Sequence, residues 1–133
     1  MSDSPKRTKI TNPVTPEAAD KFEAYVRKWQ ALLSLGEWRI KRSLKAPRKG
    51  VMAEIKKFDY EQRLASYQIG LHFGAEEVSD ETLQATALHE VLHIFLHDLI
   101  ELAKDEATPE DVLNSQEHRV INVLETLLLK DNR

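Results

Sequence analysis

Two histidines and a glutamate form the most distinctive cluster of the sequence, His89-Glu90-Val91-Leu92-His93. In an α-helix, residues four positions apart lie one turn apart on the same face, so His89 and His93 can direct their imidazoles at one metal ion. Glu90 follows the first histidine, where its carboxylate can accept a proton from a water molecule on that ion. These residue types at this spacing are typical of zinc-dependent hydrolases.

The residues around this cluster predict a helix with a core face and a histidine face. At about 100° per residue, one side collects the apolar residues Leu88, Val91, Leu92, Phe95, Leu99 and Leu102. His89, His93 and His97 fall together on another side, flanked by Leu96 and Ile100, where a solvated helix would carry charges. We therefore interpret the cluster as a metal site rather than as two exposed histidines.

A catalytic zinc ion usually has three protein ligands and one open position, so His89 and His93 require a third ligand. The chain has no cysteine, which leaves histidine and the acidic residues as ligands. Four candidates remain, namely His72, His97, Glu117 and His118. Three successive turns of one straight helix cannot surround a single ion, so we expect His97 to line the cleft instead.

Glu117 is the preferred third ligand. A final helix is predicted with an apolar stripe, formed by Leu113, Val120, Ile121, Leu124, Leu127 and Leu128, and Glu117 falls inside this stripe. A carboxylate in a buried stripe needs a partner, and a dication supplies one. His118 falls outside the stripe. The pattern favours Glu117 over His118, and the structural alternative is a Glu117 that pairs with an arginine.

The elements that position these residues are predicted to form a single α+β domain at 15–133, after a flexible tail at 1–14. Thr15 is the predicted N-cap of a first helix, Pro16 is its first helical residue, and the helix ends before Gly36. An alternating period then predicts three strands with short connections, which favours a mainly antiparallel sheet. Ser79 caps the histidine helix, and a last helix follows Thr108 and ends near Lys130.

Composition and charge limit the class of protein. The 133 residues carry a net charge of −3 and contain no apolar run long enough for a membrane span and no secretory leader, so we expect a cytoplasmic protein. Residues 1–63 hold 15 Lys+Arg and 8 Asp+Glu, whereas residues 64–133 hold 4 and 14. The basic first half leaves nucleic-acid contact open, although charges that alternate with apolar residues are typical of a solvated sheet face.

The H-E-x-x-H helix followed by Glu117 resembles the glutamate-ligand zincins, in particular small metallopeptidases of phages and mobile elements of the ImmA/IrrE type; SprT-like proteases are similar. The resemblance covers about residues 16–130 and is specific at 89–93. It implies a minimal zincin-like domain with one zinc ion per chain, held by His89, His93 and Glu117. It also implies peptide-bond hydrolysis with Glu90 as general base and His97 or His72 as stabiliser of the oxyanion. A protein or peptide substrate would extend along an edge strand, expected at 64–73.

Two other functions stay open as alternatives. One is a regulatory or interaction module of a mobile element that keeps the fold without proteolysis, although metal binding alone does not require Glu90. The other is a different metal-dependent hydrolase, such as a YbeY-type endoribonuclease. Those enzymes have glycine in place of Glu90 and a histidine where this chain has Leu99.

Overall fold

The computed structural model describes residues 13–43, 45, 47, 50–73 and 77–131. Within these residues, three helices and three strands follow one another in the order α1 (Pro16–Leu32), β1 (Arg39–Arg42), β2 (Ala53–Asp59), β3 (Leu64–Ile69), α2 (Asp80–Lys104) and α3 (Glu110–Asp131). This order confirms the predicted α+β class. The predicted tail lies outside the described residues except at its end, where Pro13 bridges to His72 and the Val14 amide donates to the Leu71 carbonyl at 2.8 Å.

The three strands form a mixed sheet in the order β1-β3-β2. β2 and β3 pair antiparallel, whereas β1 runs parallel to β3, with Arg39 opposite Leu64. The prediction of a mainly antiparallel sheet is therefore wrong for one of the two strand pairs. The physical reason is the connection after β1, which carries the chain to the far edge of the sheet, so that β3 returns between the two earlier strands.

The hydrophobic core lies between the sheet and helices α1 and α2. Phe22 of α1 packs against Tyr67 of β3, with 5.4 Å between ring centroids, and neither side chain has exposed surface. Val91 and Ile94 of α2 are buried in the same core. Capping follows the predicted pattern, because the hydroxyls of Thr15 and Ser79 accept from the amides of Ala18 and Thr82 at the starts of the two helices.

Gly70 brings the start of β2 close to the end of β3. Its amide donates to the Met52 carbonyl at 2.7 Å. A Cβ atom at Gly70 would lie 2.8 Å from the Val51 carbonyl oxygen, so a larger residue would push this segment away. The close approach holds the residues before β2 beside α2.

Helix α3 packs against the core through a face that only partly coincides with the predicted stripe. Val120, Val123 and Leu127 pack against the core, whereas Ile121, Leu124 and Leu128 of the predicted stripe are exposed. The predicted burial holds in part for Val120 and Leu127 and is wrong for Ile121, Leu124, Leu128 and Glu117, because α3 contacts its neighbours along a narrower face, rotated from the centre of its apolar residues. None of the described helices is long and apolar enough to cross a membrane.

Candidate metal centre

Helix α2 brings three potential ligand groups together one turn apart. Ligand atoms of His89, Glu90 and His93 all lie within 4.8 Å of one another. The two imidazole rings have centroids 5.0 Å apart and are nearly perpendicular. Both histidines are exposed, whereas Glu90 is buried. The helix thus presents two accessible imidazoles beside one sheltered carboxylate.

The Glu90 carboxylate is held by the sheet. Its Oε2 accepts a hydrogen bond of 2.9 Å from the backbone amide of Ile55, in β2. Burial raises the pKa of Glu90, while His93, the Ile55 amide and His89 act in the opposite direction. The carboxyl group is therefore shielded from water on one side and turned towards the two imidazoles on the other.

A cleft between α2 and β2 contains these groups, and we call it the histidine cleft. Two adjoining cavities of about 370 and 350 Å³ form it, and His89 and Glu90 border both. The first cavity is lined mainly by small and apolar residues, namely Val51, Met52, Ala53, Ala85 and Thr86. The second adds Glu54, Ile55, Phe58 and His93. A groove of this kind can admit an extended chain beside the imidazoles.

The edge strand beside this cleft is β2, because in the order β1-β3-β2 no other described strand pairs with the outer side of β2. The expectation that 64–73 forms the edge for a substrate is wrong, since β3 is the central strand. The error follows from the assumed order of the strands: alternation identifies a strand but carries no information about its neighbours.

His97 lies in an aromatic cluster, which we define as Trp38, Phe58, Tyr60 and His97. Its ring stacks on Phe58, with centroids 4.2 Å apart and planes within 4°. Trp38 meets the same ring edge-on at 5.8 Å. Because Phe58 also lines the histidine cleft, His97 supports the wall of the cleft through this stacking, and the structure does not group it with His89 and His93.

The two candidates on α3 are exposed. Glu117 and His118 both face solvent, and His118 Nδ1 lies 2.8 Å from the Asn114 carbonyl oxygen. Within the part of the chain that the structure describes, the group able to hold a metal consists of His89, Glu90 and His93, so neither α3 candidate joins it. His72 is also separate, in its bridge to Pro13.

Asp98 is a buried residue that periodicity did not single out. It is 4% exposed and pairs with Arg63, after β2, and with Arg119 of α3, whose Nη1 lies 3.6 Å from Oδ2. Arg119 also reaches Glu37 at 3.4 Å. A signal existed in the sequence, because Asp98 falls beside the apolar side of α2, where an acid needs a buried partner. Asp98 ties α2 to α3 and to the β2–β3 turn.

Comparison of the chain with models of known protein families, with curated proteins and with solved structures finds no match.

Proposed function

We propose that the protein is a zinc-dependent metallopeptidase. The observation that carries the proposal is the convergence of two exposed imidazoles and one buried carboxylate, within 4.8 Å, in a cleft bordered by an edge strand. A metal-assisted hydrolase needs ligands, a proton acceptor and a path for the substrate. All three coincide here in the histidine cleft.

The donor set suits zinc. Neutral imidazole nitrogens and carboxylate oxygens are standard zinc ligands, and the chain contains no thiolate that would favour another metal. His89 and His93 would hold the ion, which when bound supplies Lewis acidity towards water and towards a carbonyl oxygen. The accessible side of both imidazoles leaves room for the remaining ligands.

Glu90 is proposed as the general base and acid. It lies next in sequence to one imidazole and close to the other, so its carboxylate is placed to take a proton from the attacking water and return it to the leaving amine. Burial that raises the pKa of a carboxyl group suits this shuttle, because the group then takes up a proton more readily. A binding module would gain nothing from burying this acid, and the cost of its desolvation supports the enzyme over the regulatory alternative.

Glu117 remains the proposed third ligand. It does not belong to the group that His89, Glu90 and His93 form in the described part of the chain, so we propose that α3 rotates or shifts against α2 when metal binds. Val120, Val123 and Leu127 are only partly buried, so such a movement would break few apolar contacts, but it would have to preserve or replace the pair between Arg119 and Asp98. The edge of β2 is proposed to carry the peptide substrate, which would add to the sheet as an extended strand.

The test is purification from medium with trace metals, followed by metal analysis and by cleavage assays with a mixed peptide library and, separately, with RNA. We expect about one zinc per chain and library cleavage that stops on chelation and returns on addition of zinc. The matched control is Glu101→Gln, an exposed acid of the same helix, which should cleave like the wild type. Full zinc content without cleavage of peptides would favour the regulatory module, and cleavage of RNA alone would favour the endoribonuclease.

A further inference from the structure

We infer that the backbone amide of Ile55 is a positioning group for Glu90, one that orients the carboxylate for proton transfer. The inference rests on the proposed function and adds a role for β2 that neither the H-E-x-x-H spacing nor the metal requires. The contact joins two residues far apart in sequence, at 2.9 Å between the Ile55 nitrogen and Glu90 Oε2.

The register of the sheet turns this amide outward. In β2, Glu54 and Lys56 lie opposite Gln68 and Ser66 of β3, and the Met52 carbonyl accepts from Gly70. Residues of an antiparallel strand alternate between groups that bond to the partner and groups that point away from it. Ile55 has the opposite parity to Met52, so its N–H points to the free edge, and there it meets Glu90 rather than another strand.

This arrangement restricts the carboxylate in two ways. A buried carboxylate needs a donor, and the amide provides a charge-assisted hydrogen bond from a rigid strand. With Oε2 held, rotation of the carboxyl group is limited and the other oxygen is left for the proton. A preorganised base loses less rate to misorientation than a mobile one.

The same bond limits how a substrate can use β2. An amide that donates to Glu90 is not available to pair with an added peptide strand. Replacing the Ile55 amide should therefore lower kcat, because the base is misoriented, and should leave KM unchanged, because the substrate does not contact this group. If this amide bound the substrate instead, its replacement would raise KM and leave kcat unchanged.

The first measurement does not depend on activity. Hydrogen exchange of individual backbone amides is followed in the metal-free protein for the wild type, Glu90→Ala and Glu54→Ala, the last removing the other acid of the cleft. We expect the Ile55 amide to exchange about tenfold faster or more in Glu90→Ala and to keep its rate in Glu54→Ala. The Gly70 amide, bonded to Met52, reports opening of the β2–β3 pairing and should not change. An Ile55 rate that is the same in all three proteins would overturn the inference.

The second measurement replaces the amide. Ile55→Pro deletes the N–H on the free edge of β2 without removing a hydrogen bond to β3. If the proline variant does not fold, a backbone ester between residues 54 and 55 removes the same N–H without introducing the proline ring. We expect kcat to fall about tenfold with KM and zinc content unchanged, and no additional loss when the change is made in Glu90→Gln. A rise in KM at constant kcat, or an equal loss in the Glu90→Gln background, would refute the positioning role.

The two measurements separate this inference from the proposed function. If the wild-type protein cleaves no peptide, the metallopeptidase proposal fails, while the exchange experiment still decides whether the Ile55 amide holds Glu90. If the wild type cleaves peptides but both measurements give the opposing result, the metallopeptidase proposal stands and the positioning role is wrong.

Discussion

Helix α2 contains two histidine–acid pairs, His89-Glu90 and His97-Asp98, two turns apart, and the structure surrounds them differently. His97 is stacked on Phe58, and Asp98 is buried between two arginines. His89 is exposed, and among the described residues no lysine or arginine pairs with Glu90, whose oxygen accepts from a backbone amide. One pair has its charge neutralised within the protein, and the other is open to a cation from outside.

This difference shows what distinguishes a candidate metal site from a structural pair of the same residue types. Helical spacing treats the three histidines of α2 alike, because all three fall on neighbouring turns. Their neighbours separate them: His89 and His93 border the histidine cleft, while aromatic side chains, including Phe58 of β2, surround His97.

The largest effect should come from removing the imidazoles of the cleft. His89→Ala combined with His93→Ala should reduce bound zinc from about one per chain to near zero, because both proposed ligands are lost. The matched control is His97→Ala, which removes a histidine of the same helix and should keep the metal. Metal analysis after dialysis measures both; zinc retained by the double variant, or lost from His97→Ala, would erase the contrast.

Glu90→Gln should lower peptide hydrolysis by about 10²- to 10⁴-fold, because the amide cannot accept the proton. Zinc content should stay the same, since Glu90 is proposed as the base and not as a ligand. Steady-state kinetics and metal analysis on one preparation give both values. Unchanged turnover would remove Glu90 from the mechanism.

Asp98→Ala should act on stability and leave the metal in place. The change leaves Arg63 and Arg119 without their shared acid, and we expect a loss of about 2–3 kcal/mol, below the range for fully buried pairs because both arginines are partly exposed. Asp80→Ala, which removes an exposed partner of Lys21, should cost much less. Urea denaturation of the metal-free proteins measures the free energy of unfolding of each variant. Equal losses in Asp98→Ala and Asp80→Ala would contradict a stabilising role for the buried Asp98.

Glu117→Ala should weaken zinc binding by about tenfold or more, whereas His118→Ala should change it little. The two variants test whether α3 supplies a zinc ligand to the histidine cleft in addition to Arg119, which pairs with Asp98. Competition titration with a chelator of known affinity gives the zinc dissociation constants of both variants. Should His118→Ala release the metal while Glu117→Ala retains it, the site would use three histidines and the proposed third ligand would be wrong.

Local signals predicted much of this molecule. Hydroxyl caps marked the starts of α1 and α2, and alternation located the three strands, because both effects depend on neighbouring residues only. The spacing of His89, Glu90 and His93 predicted their convergence for the same reason. All of these features depend on geometry within one helix or one strand.

Features that depend on the partner of an element were not predictable in this way. The alternating pattern of β3 is the same in a central strand and in an edge strand, so the order of the strands was hidden. Helix α3 has more apolar residues than its contact face can cover, and several of them are exposed. The middle of its apolar stripe therefore did not indicate which side of the helix is buried. Asp98 required knowledge of Arg63 and Arg119, which are brought to it by two other elements.

The parallel pairing of β1 with β3 has a consequence for the order in which the molecule assembles. β2 and β3 are joined by a short turn and can pair as a hairpin. β1 pairs with β3 only after the chain between them, which includes β2, has been brought into a closed loop. Contacts between distant segments form late because closing the intervening loop costs entropy. We expect Ile40→Ala in β1 to speed unfolding with little change in the refolding rate, as stopped-flow measurements would show. The wall of the cleft that carries Ile55 would then form before the sheet is complete.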